Sequence, residues 1–128
     1  MRYLLDTQIL LWILSDDERL SNHLRKLLTS EGSKHYISVA SLWEIGIKVS
    51  LGKLILKGGV RQVMKRAKEM GIEVMNIETD YVERIERLEL HHRDPFDRMI
   101  IATAMEAKMT VMSSDRHFER YEIQLEKN

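Results

Sequence analysis

The stretch Tyr3-Leu4-Leu5-Asp6-Thr7-Gln8-Ile9-Leu10-Leu11-Trp12-Ile13-Leu14 decides how the rest of the chain is read. Three consecutive apolar residues ending at Asp6-Thr7 read as a short buried strand, and Ile9, Leu10, Trp12, Ile13 and Leu14 then fall at helical spacing. The same alternation continues. Leu20, Leu24, Leu27 and Leu28 form a helical pattern before Gly32, His35-Tyr36-Ile37-Ser38 is a brief β-prone run, and Val39 to Val49 reads as a helix ended by Gly52. Beyond Gly58-Gly59 a helix runs to about Met70, and residues 72–76 alternate as a strand. Thr79 to Leu90 is helical, and Asp94-Pro95-Phe96-Asp97 opens a helix with Pro in its first turn that runs to Lys108. Thr110-Val111-Met112 is the next strand, and Glu122 to Leu125 predicts a last edge strand. Strands alternating with helices predict an α/β fold with a mainly parallel sheet.

No internal repeat or long linker divides the chain, and 128 residues suit one domain spanning 1–128. With 44% hydrophobic and 31% charged residues, 6 Gly and 1 Pro, disordered and collagen-like readings are excluded. The absence of Cys removes disulfide scaffolds, thiol catalysis and Cys-based zinc sites, and it fits a reducing cytoplasm as the expected location. Asp6 and Gln8 interrupt the first apolar stretch too early for a signal sequence or membrane span, so no membrane association is expected. The formal net charge is zero, which argues against a protein that coats nucleic acid. That balance is uneven along the chain. From Ile45 to Lys68 there is no acidic residue, while Lys48, Lys53, Lys57, Arg61, Lys65, Arg66 and Lys68 are all basic, leaving 13 basic against 20 acidic residues elsewhere.

Open α/β sheets place ligands beyond the carboxyl ends of their strands. Asp6 directly follows the first strand, and Asp115 follows Val111-Met112 after two serines. Asp97 lies in the first turn of the helix feeding that strand, and Glu44 lies in the second turn of the helix after Ile37-Ser38. Each acid also has a structural explanation. Asp6, Asp94 and Asp115 stand where helix N-caps are wanted, Asp97 suits the positive end of a helix dipole, and Glu44 can pair with Lys48 four residues on. Taken together, four acids converging on one sheet edge repel one another, and the commonest physical reason to collect them is a hard divalent cation with oxygen ligands.

Leu4-Leu5-Asp6-Thr7, then Ile37-Ser38-Val39-Ala40-Ser41-Leu42-Trp43-Glu44-Ile45, Leu51-Gly52-Lys53-Leu54, residues 92–102 (HRDPFDRMIIA) and Ser113-Ser114-Asp115-Arg116-His117-Phe118 resemble, in order, the PIN-domain ribonucleases, specifically the VapC-like toxins of toxin–antitoxin pairs. The resemblance implies a three-layer α/β/α domain and a Mg²⁺- or Mn²⁺-dependent endoribonuclease whose acidic quartet is Asp6, Glu44, Asp97 and Asp115. It also implies an RNA substrate, an antitoxin partner lying across the groove, and a homodimer. Two departures are visible: Gln8 stands where relatives often have His, and Ser113 where they often have Thr. Thr7, Ser38, Ser114 and Asp94 are expected to support the quartet, with Asp94 foremost a helix cap. Lys48, Lys53, Lys57, Arg61 and Lys65 are candidates to track an RNA backbone toward an acidic centre that would otherwise repel it, the competing reading being a solvated helix surface. A non-catalytic binding module on the same fold, and a carboxylate hydrolase without metal, are the alternatives.

His91 and His92 adjoin a turn and lack the i,i+4 pairing of a transition-metal site, so a solvated loop is expected there. His23, His35 and His117 stand isolated. Trp12 and Trp43 fit core or interface positions, and the eight scattered Met residues suit core filling.

Overall fold

Tyr3 and Leu5 face one side of the first strand and Leu4 the other, and all three are buried because helices cover both faces. That double burial is why the strand reads as an unbroken apolar run instead of an alternating one. In the computed structural model, which describes residues 1–128, the elements in chain order are β1 (Arg2–Leu5), α1 (Thr7–Ser15), α2 (Asn22–Leu28), β2 (Lys34–Ser38), α3 (Val39–Ser50), α4 (Gly59–Glu69), β3 (Ile72–Met75), α5 (Thr79–Arg87), α6 (Pro95–Ala107), β4 (Thr110–Ser113), a 3₁₀ turn (Arg116–Arg120) and β5 (Leu125–Lys127). The five strands form one sheet in the order β3-β2-β1-β4-β5, and every pairing is parallel. The mainly parallel sheet read from the sequence is therefore wholly parallel. Its last edge strand lies three residues later than the sequence pattern placed it.

Two cores flank the sheet. Ile9, Leu10 and Leu14 of α1, Leu24 of α2, Leu42 and Ile45 of α3, and Val63 and Ala67 of α4 pack with Tyr3, Leu5 and Ile37 on one face. Ile100, Ile101 and Ala104 of α6 pack with Leu4, Val111 and Phe118 on the other. No helix is long and apolar enough to cross a membrane.

The turn into α4 requires glycine. Gly58 has φ +82°, and a Cβ there would meet the Gln62 Cβ at 2.7 Å, so both backbone conformation and space exclude a side chain. Asp6, Ser38, Asp94 and Asp115 cap α1, α3, α6 and the 3₁₀ turn through their side chains, as helix-cap chemistry predicts. Three of these four caps are the acids singled out above.

Candidate active site

β1 and β4 pair with Leu5 opposite Met112, and Asp6 N donates to Met112 O at 3.0 Å, which sets Asp6 beside Ser113 just beyond the paired strands. β1 and β2 pair with Leu5 opposite Ile37, so α3, which starts at Val39, begins at the same edge. The register thereby brings Asp6, Glu44, Asp97 and Asp115 to one cleft of about 390 Å³, lined also by Thr7, Gln8, Leu11, Lys48, Asp94 and Ser114.

Each acid keeps a structural duty within the cleft. Asp6 is buried, its Oδ1 accepts from Ile9 N at 2.8 Å, and its Oδ2 accepts from the Ser113 hydroxyl. Glu44 Oε1 accepts from Thr7 Oγ1 at 2.6 Å, and its Oε2 lies 2.9 Å from Lys48 Nζ. Ser41 Oγ lies 3.0 Å from Thr7 Oγ1 and completes the Thr7 hydroxyl's bonding. Asp115 Oδ1 accepts from His117 N at 2.9 Å and lies 2.7 Å from His117 Nδ1. Asp94 Oδ1 accepts from Phe96 N and Asp97 N, so it is the cap of α6 that its position predicts.

The electrostatics separate the four. Burial foremost, then the charges of Asp94, Asp115, Asp6 and Glu44, push Asp97 up to about 8. Burial also pushes Asp6 up to about 6, although the bonds from Ser113 and Ile9 hold it down. For Asp115 burial again acts upward, but the backbone N–H and imidazole of His117 outweigh it, and the carboxyl ends below its ordinary value. Two acids thus retain protons at pH values where the ordinary carboxyl has long ionised, the expected result of crowding like charges away from water.

Several residues depart from the sequence reading. His92 is not on a solvated loop: its side chain is 8% exposed, its Nδ1 lies 2.8 Å from Tyr121 Oη, and its Nε2 lies 3.2 Å from Asp97 Oδ2. His117 is not isolated, since it pairs with Asp115 and stacks on His92 with ring centroids 4.8 Å apart. His23 pairs with Glu126, and His35 stacks on Tyr3. Nor is Trp43 a core residue. It is 62% exposed, which leaves the interface reading, and its ring meets that of Phe96 edge to face with centroids 5.1 Å apart.

Of the supporting hydroxyls, Thr7 reaches the quartet, whereas Ser38 caps Ala40 N and Ser114 is exposed on the cleft wall. Ser113 takes the role expected of Ser114, donating to Asp6 and accepting from Asp115 N at 3.0 Å. The parallel register beside Asp6 was the signal that selects Ser113, and it exists only once β1 and β4 are paired. Among the basic candidates, Lys48 lines the cleft, while Lys53, Lys57, Arg61 and Lys65 make no ion pair.

A PIN domain model matches residues 3–124, and the chain belongs to that family. The fold is similar to that of a chain of the Rickettsia felis VapBC2 complex bound to a DNA fragment from its promoter, with a TM-score of 0.77 at 20% identity, covering 100% of this chain and 99% of that one. VapBC-1 from nontypeable Haemophilus influenzae gives 0.73 at 15% identity over 99% and 98%. DNA-bound VapBC from Salmonella typhimurium gives 0.67 at 20% identity over 99% and 98%. At these identities the likeness is one of fold. No curated protein sequence matches the chain.

Proposed function

We propose that this protein is a divalent-metal-dependent endoribonuclease acting as the toxin of a toxin–antitoxin pair. The observation that carries the reading is the arrival of Asp6, Glu44, Asp97 and Asp115, from four separate elements, in one cleft at the carboxyl edge of a PIN-domain sheet. The likeness to chains of VapBC and other toxin–antitoxin complexes supports an antitoxin partner, and a homodimer acting in the cytoplasm completes the proposal.

The donor set fits Mg²⁺ or Mn²⁺: hard carboxylate oxygens, no sulfur, and an excess of negative charge that adds to burial, the larger cause, in keeping Asp97 protonated near neutral pH. No three His, Asp or Glu side chains are grouped to hold one ion, a number that Mg²⁺ does not need because it binds through one or two carboxylates and retained waters. Asp97 and Asp115 each retain one oxygen without a protein partner. Asp6 and Glu44 would join them once Lys48 yields its place on Glu44. When bound, such an ion activates water and stabilises charge on the scissile phosphodiester.

The chain's own residues supply the rest. Thr7 orients Glu44, Ser113 orients Asp6, and the α1 and α6 caps fix the backbone from which both aspartates project. Lys48, Lys53 and Lys57 offset the acidic field toward an approaching polyanion, whereas Arg61 and Lys65 fall on the α4 face opposite its buried Val63 and Ala67 and are left out of that role.

The Glu44–Lys48 pair is the one feature that favours a second reading, a binding module that kept the fold, because it already neutralises one member of the quartet. Incubation of the purified chain with single-stranded RNA in Mg²⁺, in Mn²⁺ and in EDTA decides among the classes. Cleavage only with metal is expected. Full cleavage in EDTA would mean metal-free carboxylate hydrolysis, and binding without cleavage in metal would mean the module.

A further inference from the structure

Two cavities open along α1. One is the acidic cleft, and the other, also of about 390 Å³, lies between α1 and the segment from Leu54 to Arg66. Gln8 and Leu11 line both, so the cavities are neighbouring compartments of one groove. The second is large enough for a small-ligand site, which spans roughly 300–1,000 Å³. Its chemistry is the opposite of the first. Its wall is apolar, from Leu11, Trp12, Leu54 and Leu56, and Lys57 and Arg66 line its edge. Asp17 and Arg19 also line it, but they satisfy each other in a two-point pair at 2.8 and 3.0 Å, and the Arg19 guanidinium lies 5.2 Å from the Trp12 ring centre.

α4 sorts its own cations. Val63 and Ala67 form its buried face, and on a helix of 3.6 residues per turn Arg61, Lys65 and Lys68 fall opposite to them. Gln62 and Arg66 fall on the flank and line the cavity. Lys57 and Arg66 have no acidic partner within ion-pair distance. Seven basic residues that look equivalent in the sequence are thereby divided, and the cavity selects two.

We infer, resting on the nuclease reading above, that this compartment is a substrate subsite for the nucleotide adjoining the scissile phosphodiester, its base against the Leu11, Trp12, Leu54 and Leu56 wall and its phosphate held by Lys57 and Arg66. An acidic cleft repels a polyanion, so a strand lying in it needs a cationic hold close by, and the shared Gln8–Leu11 wall puts that hold in the next compartment. An apolar wall beside cations suits a base free to leave its stack, which selects single-stranded over paired RNA.

The chain has 2 tryptophans, so Trp43→Phe leaves Trp12 as the sole reporter. In that background, carrying Asp97→Asn to suppress turnover, an unlabelled eight-nucleotide single-stranded RNA should change Trp12 emission saturably. Lys57→Ala with Arg66→Ala should weaken binding at least about 10-fold and flatten the salt dependence by roughly 0.7 log unit per log unit, the change expected for one phosphate contact. Arg61→Ala with Lys65→Ala removes the same charge and should cost less than about threefold.

Equal losses from the two pairs would overturn the subsite, as would RNA binding that leaves Trp12 emission unchanged. If a protein partner alters that emission and RNA does not, the compartment belongs to a polypeptide and the inference fails. RNA cleavage by the parent chain, measured on the same preparation, separates the two levels: cleavage with equal losses removes the subsite alone, and absence of both cleavage and RNA binding removes the nuclease reading with it.

Discussion

His92 Nε2 lies 3.2 Å from Asp97 Oδ2, and a buried arginine biases the direction of the bonds around this pair. Arg98 can only donate, so Tyr121 Oη accepts from Arg98 Nη1 at 2.9 Å, which favours donation of its own proton to His92 Nδ1 at 2.8 Å. His92 then carries its proton on Nε2 and donates it to Asp97. Burial, followed by the charge of neighbouring His117, lowers the His92 pKa and favours this neutral form. Arg98 itself is anchored on the carbonyls of Glu89 and Leu88, so a chain of buried groups runs from the α5–α6 connection to the carboxylate.

This chain predicts that His92 positions Asp97. His92→Phe preserves ring volume but removes the donor, and should lower kcat roughly 10- to 100-fold with KM changed less than about twofold. His92→Gln, which can still donate, should recover part of the loss, and the Mn²⁺-induced rise in Tm should shrink in the Phe variant. Equal kcat in both variants and the parent would assign the histidine to packing alone.

Asp97→Asn and Asp6→Asn keep side-chain size and remove charge. Each should reduce RNA cleavage in Mg²⁺ by at least about 100-fold, or ~2.7 kcal/mol of barrier, while circular dichroism remains that of the parent. Parental rates in both variants would locate the chemistry elsewhere.

Asp97 also predicts how metal-free stability varies with pH. Below about pH 4 its carboxyl is protonated in the folded and unfolded chains alike, and the site contributes nothing. Between there and its folded value of about 8, the unfolded chain releases the proton and the folded chain keeps it, so stability falls as pH rises. Above that value the loss is complete. His92 and His35, both lowered by burial, act in the opposite sense below their ordinary value of 6.5, so the difference between parent and variant is the quantity to measure. In EDTA, Asp97→Asn should melt higher than the parent by a margin that widens from pH 4 to 8, and Mn²⁺ should raise the parent's Tm more than the variant's. A lower-melting variant with an undiminished metal response would make Asp97 a structural acid.

Ser113→Ala leaves buried Asp6 Oδ2 without its donor. The loss should cost about 1–3 kcal/mol at neutral pH, read by urea unfolding, and Ser113→Thr should restore most of it because the hydroxyl is retained. Equal stability of the Ala and Ser chains would show that the bond contributes nothing net.

The strands, helices and caps were legible because each is a local matter. Tyr3-Leu4-Leu5 reads as a buried strand, Pro95 stands at the first position of α6, and Asp94 accepts the amide protons of the two residues that follow Pro95. Asp6 and Asp115 were legible for the same reason, since a residue just past a strand and starting a helix lies at the carboxyl edge of a parallel sheet, and Asp97 and Glu44 because they fall in the first two turns of helices that run back from that edge. His92 and His117 were not. Twenty-five residues apart in the chain, they stack only because α6 and β4 carry the chain across the sheet and back, and no spacing rule connects them.

The sequence by itself determined that the chain alternates strand and helix, that Asp6, Glu44, Asp97 and Asp115 stand where such a fold gathers ligands, and that one segment carries cations without acids. Tertiary structure alone decided that Ser113 instead of Ser114 holds Asp6, that His92 reaches Asp97 through a chain ending on Arg98, and that Lys57 and Arg66 line a cavity while Arg61 and Lys65 face outward. The physical reason is range. Capping, periodicity and turn chemistry act over a few residues and are written in the local pattern, whereas strand register, burial and the desolvation that raises Asp97 depend on which distant segments exclude water from one another.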